Sequence, residues 1–442
     1  VLASIFADFN LPNAPSWFYF SLVLAVALFF KFTRLLSVRN LDVVGVFLLV
    51  PGFLLHHEAR TVAPEAARKL LWYGYLALIG GSGILLVRCL IDLALVRRPA
   101  LNPNLNISGM AWLMLALFAC LTVVALRGPG VLDEKVGRES VALDKLQERT
   151  TSIAQPLADE ANRARVRFYV ERTLALACHL GVVVGLVLIG GRHFQDVTTG
   201  MAMGTFYLLL PYTAFHIGQL HHVWPALWLV WALFCYRKPT LSGVFLGLAA
   251  GSVFFPAFTL PAWLSFYRGR GVGRFLVCFA LAAGLSLALT GAVLFVDGQL
   301  AYNLHLTLTM ADWQAWKMPE TDSIWNGSHW AFRLPVFVVY LTFVVLTAYW
   351  PQPKSLAHLL ALNTALLIGI QFWYADRGGV YVLWYLPTLL LMLFRPNLSE
   401  RTAPAINPET DWLTRRGQAA RQWYGQRITP MLAGRHPGRV NG

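Results

Sequence analysis

About a dozen apolar stretches, each close to the length that crosses a bilayer, follow one another from Ser16 to Phe394. A hydrocarbon core of about 30 Å takes roughly 20 apolar residues in a helix. The backbone there must satisfy its own hydrogen bonds, so these segments are helices. The expected fold is all-α: a polytopic membrane protein with about 11–13 transmembrane or half-spanning helices.

Composition agrees. Of 442 residues, 57% are hydrophobic and 13% charged, against about 25% charged in a soluble domain. The net charge of +14 fits cytoplasmic loops under the positive-inside rule. No Lys/Arg-rich helix with interleaved polar residues points to a nucleic-acid partner. Cys89, Cys120, Cys178, Cys235 and Cys278 are scattered singly through apolar segments. They read as small buried hydrophobes, neither a disulfide frame nor a zinc site. The opening residues do not read as a cleavable signal peptide.

Hydropathy predicts helices over Ser16–Phe30, Leu41–Leu55, Leu70–Val87, Ser108–Leu126, Leu174–Ile189, Met201–Ile217 and Val223–Cys235. Further helices are expected over Leu241–Val253, Phe255–Phe266, Phe275–Phe295, Phe332–Trp350, Leu356–Phe372 and Val380–Phe394. Basic residues follow the first and third helices (Lys31, Arg34, Arg39; Arg97, Arg98) and flank Leu241–Phe266 (Arg237, Lys238; Arg268, Arg270, Arg274). Together with the arginine-rich tail, they set the N-terminus outside and the C-terminus in the cytoplasm. Both ends of Leu241–Phe266 then lie on one side. This stretch must be a helical hairpin turning near Ser252–Pro256, its arms too short to span. Broken helices at membrane depth are tolerated where they line a protein cavity. One long helix kinked at Pro256 is the alternative.

Three regions follow from this reading: an N-terminal helical region over 1–107, a membrane domain over 108–395, and a basic cytoplasmic tail over 396–442. The outer loops are 127–171, polar with mixed charges and helical spacing, and 297–330, which holds Trp313, Trp316, Trp325 and Trp330. Such tryptophans suit the headgroup layer. The tail is either disordered or an arm that docks a protein partner.

Polar side chains in apolar surroundings are the places for chemistry. The densest group is His216, Gln219, His221 and His222. Adjacent imidazoles and an amide can hold a sugar or phosphate, ligate a metal or a haem, or simply cap a tight turn. A second group, Trp325 to Arg333, contains the capping types Asn326 and Ser328. It also puts His329 and Arg333 one helical turn apart. Arg333 can pair with a lipid phosphate or snorkel to the interface. A third group is Asp376, Arg377 and Tyr381 on a short outer turn. An outer general base must come from a loop carboxylate. Asp133 and Glu134 are the nearest candidates, with Asp144, Asp159 and Glu160 further along. No phosphate-binding loop, HExxH, Gly-x-Ser-x-Gly or dinucleotide fingerprint occurs.

The stretch Gly218-Gln-Leu-His-His, followed by Trp231-Ala-Leu-Phe-Cys-Tyr-Arg-Lys-Pro-Thr-Leu-Ser-Gly-Val-Phe-Leu-Gly-Leu-Ala-Ala250, resembles glycosyltransferase family 87. These are polyprenol-phosphate-mannose-dependent transferases of the glycosyltransferase-C superfamily. Asn326-Gly-Ser and Trp373…Tyr381…Leu386-Pro387 resemble later motifs of that family. The likeness covers roughly 174–394. The family's lysine in the broken hairpin falls on Val253, while Pro256 remains. The family's catalytic acid, in the first outer loop, has its nearest positional match in Asp133, without the accompanying tyrosine.

The resemblance implies a glycosyltransferase-C-like fold and transfer of a mannose-like sugar from a polyprenyl-phosphate donor to an outer-face acceptor, in a bacterial inner membrane. Asp133 or Glu134 would deprotonate the acceptor. Gln219, His221, His222, Asn326, Arg333, Arg377 and Tyr381 would bind substrate. No cofactor is required, although a divalent metal could assist. Two other readings stand beside it. One is a non-catalytic accessory subunit that keeps the fold. The other is a haem- or quinone-binding redox subunit using His179, His216, His221 or His222.

Overall fold

The computed structural model describes residues 14–95, 101–127, 140–154, 160–298, 323–374 and 377–405. Every regular element among them is helical. Helix α1 is Ala14–Phe29. Helices α2 (Val38–Gly45) and α3 (Val50–Glu58) run on through a 3-10 turn at Val46–Leu49. Then come α4 (Pro64–Asp92), α5 (Ile107–Arg127), α6 (Val141–Ala154) and α7 (Glu160–Ile189), the last ending in a π-turn at Gly190–Phe194. Helices α8 (Val197–Leu209), α9 (Pro211–Phe215), α10 (Leu220–Phe234), α11 (Pro239–Ser252) and α12 (Leu260–Phe266) follow. The chain closes with α13 (Val272–Val296), α14 (Arg333–Tyr349), α15 (Leu356–Trp373) and α16 (Val382–Phe394).

Seven of the described helical stretches are long and apolar enough to cross a membrane. This is a multi-pass membrane protein. The long helices and the short ones have different places. Helices α5, α13 and α14 turn apolar side chains such as Trp112, Leu285 and Val339 outward, as lipid-facing helices do. The short helices α8 and α16 are buried along nearly their whole length. A helix apolar on every side belongs in an interior. One hydrophobic core runs from Trp17 to Ala403.

Several boundaries differ from the hydropathy reading, each for a local reason. The stretch read as the loop 127–171 contains α6 and the first turns of α7. Their polar residues sit outside the apolar window while keeping helical spacing. The segment read as Met201–Ile217 breaks at Leu210, which turns extended (ψ 139°) ahead of Pro211, as a residue before proline prefers. Phe255–Phe266 begins as a 3-10 turn and becomes α-helix only at Leu260.

Helix α11 stops at Ser252, and Val253 adopts extended backbone (φ −132°, ψ 118°). The chain then returns through α12. Tyr267, just beyond α12, donates its hydroxyl to the carbonyl of Tyr236, just ahead of α11, at 2.6 Å. Residues 236–267 therefore leave from and come back to one end of the bundle, so the stretch is a hairpin and not a single kinked rod. Helix α11 is held along α13 by Gly243, Gly247 and Gly251. A Cβ on Gly247 would lie 2.5 Å from the Phe279 carbonyl oxygen, and one on Gly251 2.8 Å from that of Ala283. Small residues one turn apart let two backbones meet.

The same end of the bundle holds a connected polar network. Arg39 reaches the carbonyls of Phe29 and Asn102. Arg88 pairs with Asp42 at 2.6 Å and with Asp92 at 3.1 Å. Arg395, beyond α16, pairs with Asp92 at 2.9 Å, both side chains being buried. Arg270 bonds Thr402 and the Ala403 carbonyl.

Candidate functional site

Helices α10 and α16 and the outgoing hairpin arm α11 all reach this basic end. They contain 15, 13 and 14 residues. At 1.5 Å per residue each covers only about 20 Å, while α15, which leads into the Arg377–Tyr381 turn, has 18 residues and covers about 27 Å. The segments at their far ends are buried, with His222 4%, Tyr381 1% and Val253 3% exposed. They are the Gly218–His222 turn, the Arg377–Tyr381 turn and the hairpin break at Val253.

Aromatic rings join the three. His216 stacks on His222 with centroids 3.8 Å apart, and His222 on Tyr381 at 5.3 Å. Tyr381 stacks on Trp384 at 4.4 Å, and Trp384 on Phe255, just past the hairpin break, at 5.1 Å. The indole of Trp384 donates to the His221 carbonyl at 3.1 Å. Trp224 donates to the Ser252 hydroxyl at 2.7 Å. Ser140, leading into α6, donates to the Ser252 carbonyl. The segment leading into α6, the hairpin tip and α10 are thereby tied together.

The turn itself is built by close approach. The Arg172 guanidinium lies across Gly218 and leaves no room for a Cβ there. His216 Nδ1 and Gln219 Oε1 are 2.6 Å apart, and since an amide oxygen can only accept, His216 Nδ1 is the donor. His179 is fully buried one helix away, its Nδ1 2.8 Å from the Tyr207 hydroxyl. Arg377 holds a left-handed backbone (φ 48°), unusual for a residue with a side chain. Its charge acts on both His222 and His56. The turn is shaped by Gly379 (φ 103°), whose N–H donates to Gln371 Oε1 at 2.9 Å.

Gln219, His221, His222, Arg377 and Tyr381 thus lie on two neighbouring turns, joined where His222 stacks on Tyr381. Asn326 and Arg333 lie at the head of α14, on a segment tied to α15 where the Trp325 indole donates to the Phe372 carbonyl at 3.0 Å. Asn326 is exposed on a turn. The capping role expected of Asn326 or Ser328 falls to His329, whose Nδ1 accepts from the Ala331 N–H. His329 precedes the helix and is exposed, while Arg333 is 1% exposed. The two do not share an accessible face, and Arg333 does not snorkel to the surface. Asp133, Glu134, Asp159 and Asp376 lie outside the described residues. Asp144 sits on α6.

One carboxylate was not singled out from the sequence. Glu171, on α7, is half-buried directly ahead of Arg172, whose guanidinium packs over Gly218. The signal that could have found it is a Glu-Arg pair running directly into an apolar helix. The helix was expected to begin three residues later, which left Glu171 as the last residue of a loop.

The donor set does not fit a haem held between His216 and His222. Rings stacked face to face at 3.8 Å have no space for a porphyrin with an imidazole on either side. Among the described residues no group of three His, Cys, Asp or Glu side chains is arranged to hold a metal ion. No family model, no curated protein and no solved structure matches the chain.

Proposed function

We propose that the chain is an integral-membrane glycosyltransferase, moving a mannose-like sugar from a polyprenyl-phosphate donor to an acceptor on the outer membrane face. The observation that carries this reading is the meeting of a broken hairpin with a turn rich in histidine and an arginine turn, recessed within an apolar bundle. Intramembrane ionisable groups are costly and usually functional. The reaction is a single inverting displacement, with an outer carboxylate, Asp133 or Glu134, deprotonating the acceptor. Gln219, His221, His222, Arg377 and Tyr381 hold the leaving phosphate and the sugar, and Asn326 and Arg333 act from the outer segment. The distribution of Lys and Arg supports an outside N-terminus and a cytoplasmic C-terminus, in a bacterial inner membrane. The arginine-rich tail is then available to a cytoplasmic protein partner.

Purified protein in nanodiscs, given radiolabelled polyprenyl-phosphate mannose and an acceptor lipid extract, should transfer label. His222→Ala should abolish transfer. A second reading, an accessory subunit that keeps the fold, is favoured by Val253, an apolar residue, 3% exposed, where the family has a cation. Wild type that neither turns over nor binds donor, yet purifies in fixed stoichiometry with a larger complex, would establish that reading instead.

A further inference from the structure

We propose that Arg172 and the first turn of α10 form an anion site that takes a phosphate monoester. The proposal rests on the transferase reading for the ligand's origin, the phosphate that leaves with the polyprenyl chain, but not for the site itself.

Two independent features converge on this place. The first is a buried cation without a hydrogen-bonding partner. Arg172 is 9% exposed, and a guanidinium keeps its charge throughout the working pH range. Its Cζ lies 4.8 Å from the centroid of the Phe168 ring, one turn earlier, and its end packs across Gly218. Neither contact is a hydrogen bond. Nε is sealed from solvent without a partner. Among the described residues no hydrogen bond or ion pair reaches the guanidinium. Glu171, its neighbour in the chain, acts on it only through space. A charge left so inside an apolar bundle is costly and calls for a counter-ion.

The second feature is the start of α10, directly after Gly218 and the N-cap Gln219. Gln219 adopts extended backbone, and its side chain caps nothing. Its amide oxygen is taken up by His216 at 2.6 Å. The first-turn N–H groups of this 15-residue helix therefore have no side-chain cap, and such groups attract anions. The same bond fixes which way the Gln219 amide faces and leaves its NH2 group with two donors to offer. Gln219 and His221 are half-buried, so the turn has an open side. A guanidinium fork matches two phosphate oxygens, and the helix start faces the same anion. The opposing charge is Glu171, whose carboxyl lies by the Leu220 N–H. An anion must compete with it, which gives two adjacent residues effects of opposite sign.

The test measures binding, with turnover as a separate arm. The full chain in phosphatidylcholine nanodiscs is titrated with undecaprenyl phosphate, with undecaprenol, which lacks the phosphate, and with inorganic phosphate. Wild type should bind undecaprenyl phosphate and not undecaprenol. Arg172→Gln should weaken that binding about 10–100-fold, and Arg172→Lys should recover part of it. Glu171→Gln should tighten it, since a repelling charge is gone. Arg163 is exposed on the same helix, and Arg163→Gln should bind as wild type does. Displacement by inorganic phosphate, with the same dependence on Arg172, makes free phosphate the ligand. Binding of the lipid phosphate alone makes it a headgroup. Hydrogen exchange on the wild type needs no variant: the amides of 220–222 should slow when undecaprenyl phosphate is added. Unchanged binding in a monodisperse Arg172→Gln, or no slowing at 220–222, overturns the site. Arg172-dependent binding without transfer from polyprenyl-phosphate mannose overturns the transferase reading and leaves the site standing. Transfer with an unchanged KM in Arg172→Gln does the reverse.

Discussion

Lys354 shows how one side chain links stability to pH. It lies in the short connection between α14 and α15, 3% exposed, and donates to the Ser265 hydroxyl at 2.9 Å and the Pro351 carbonyl at 3.0 Å. Burial pushes its ammonium down from 10.5 to about 8. Between those two values the folded chain has shed a proton that the unfolded chain keeps. Stability should therefore rise as pH climbs from about 8 toward 10.5 and level off above. Thermal unfolding in detergent across that range checks this, and Lys354→Met should flatten the rise. The residue scale is also where sequence is least informative. A side chain's exposure depends on partners far along the chain. Arg333 has the pattern of a surface arginine because it opens an apolar helix, and it is buried. Glu171 has the pattern of a loop charge because it precedes the apolar window. His216, Gln219, His221 and His222 were legible, since four polar groups within seven residues of an apolar run need a reason to be there.

Between elements, the decisive contact is α11 against α13. The Ser-Gly-x-x-x-Gly-Leu-Ala-Ala pattern that carried the family resemblance has a packing explanation here. Each glycine of the stripe faces a carbonyl of the partner helix. Gly247→Val should force the two backbones apart and abolish the monodisperse peak in fluorescence-detected size exclusion. Gly284→Ala, on the same α13 but at a position where an added Cβ would meet nothing within 4 Å, should leave that peak intact. Its melting temperature should match or exceed wild type, since alanine is the better helix former by about 1 kcal/mol. The hairpin was legible for a different reason. Basic residues at both ends of one apolar stretch with a proline near its middle leave few topologies. The interruption after Leu209 and the 3-10 start of α12 were not legible, because hydropathy is blind to backbone conformation. Another element-level link is electrostatic. Lys145 and Arg149 on α6 clamp Asp297 at the end of α13, at 2.8 and 2.6 Å. The pairing lowers the Asp297 carboxyl and raises the Lys145 ammonium. Acidification through the depressed Asp297 value should loosen α6, read as faster hydrogen exchange over 141–154, and Asp297→Asn should show that loosening already at neutral pH.

For the molecule as a whole, the alternating chain Asp42, Arg88, Asp92 and Arg395 joins the second, fourth and last helices at the basic end. Removing one member leaves a buried charge uncompensated. Asp92→Asn should cost about 3–5 kcal/mol, whereas replacing Asp92 and Arg395 together with leucine should recover most of it. Thermal melts of the single and double variants decide between a pairing and a packing role. That Arg395 belongs to this end follows from the positive-inside pattern. That it pairs with Asp92, some three hundred residues earlier, could not be inferred, because hydropathy carries no information on which helices touch. The glycine-seamed pair α11 and α13 has a mechanical consequence. Two backbones in contact over three successive turns behave as a single beam, with no side-chain cushion to let one slide on the other. Any movement of the hairpin tip relative to that beam must then pivot at Val253, the first residue past its end. Proline at 253 should cost the hairpin its turn, because Val253 holds φ −132° and its N–H donates to the Ala249 carbonyl at 2.9 Å.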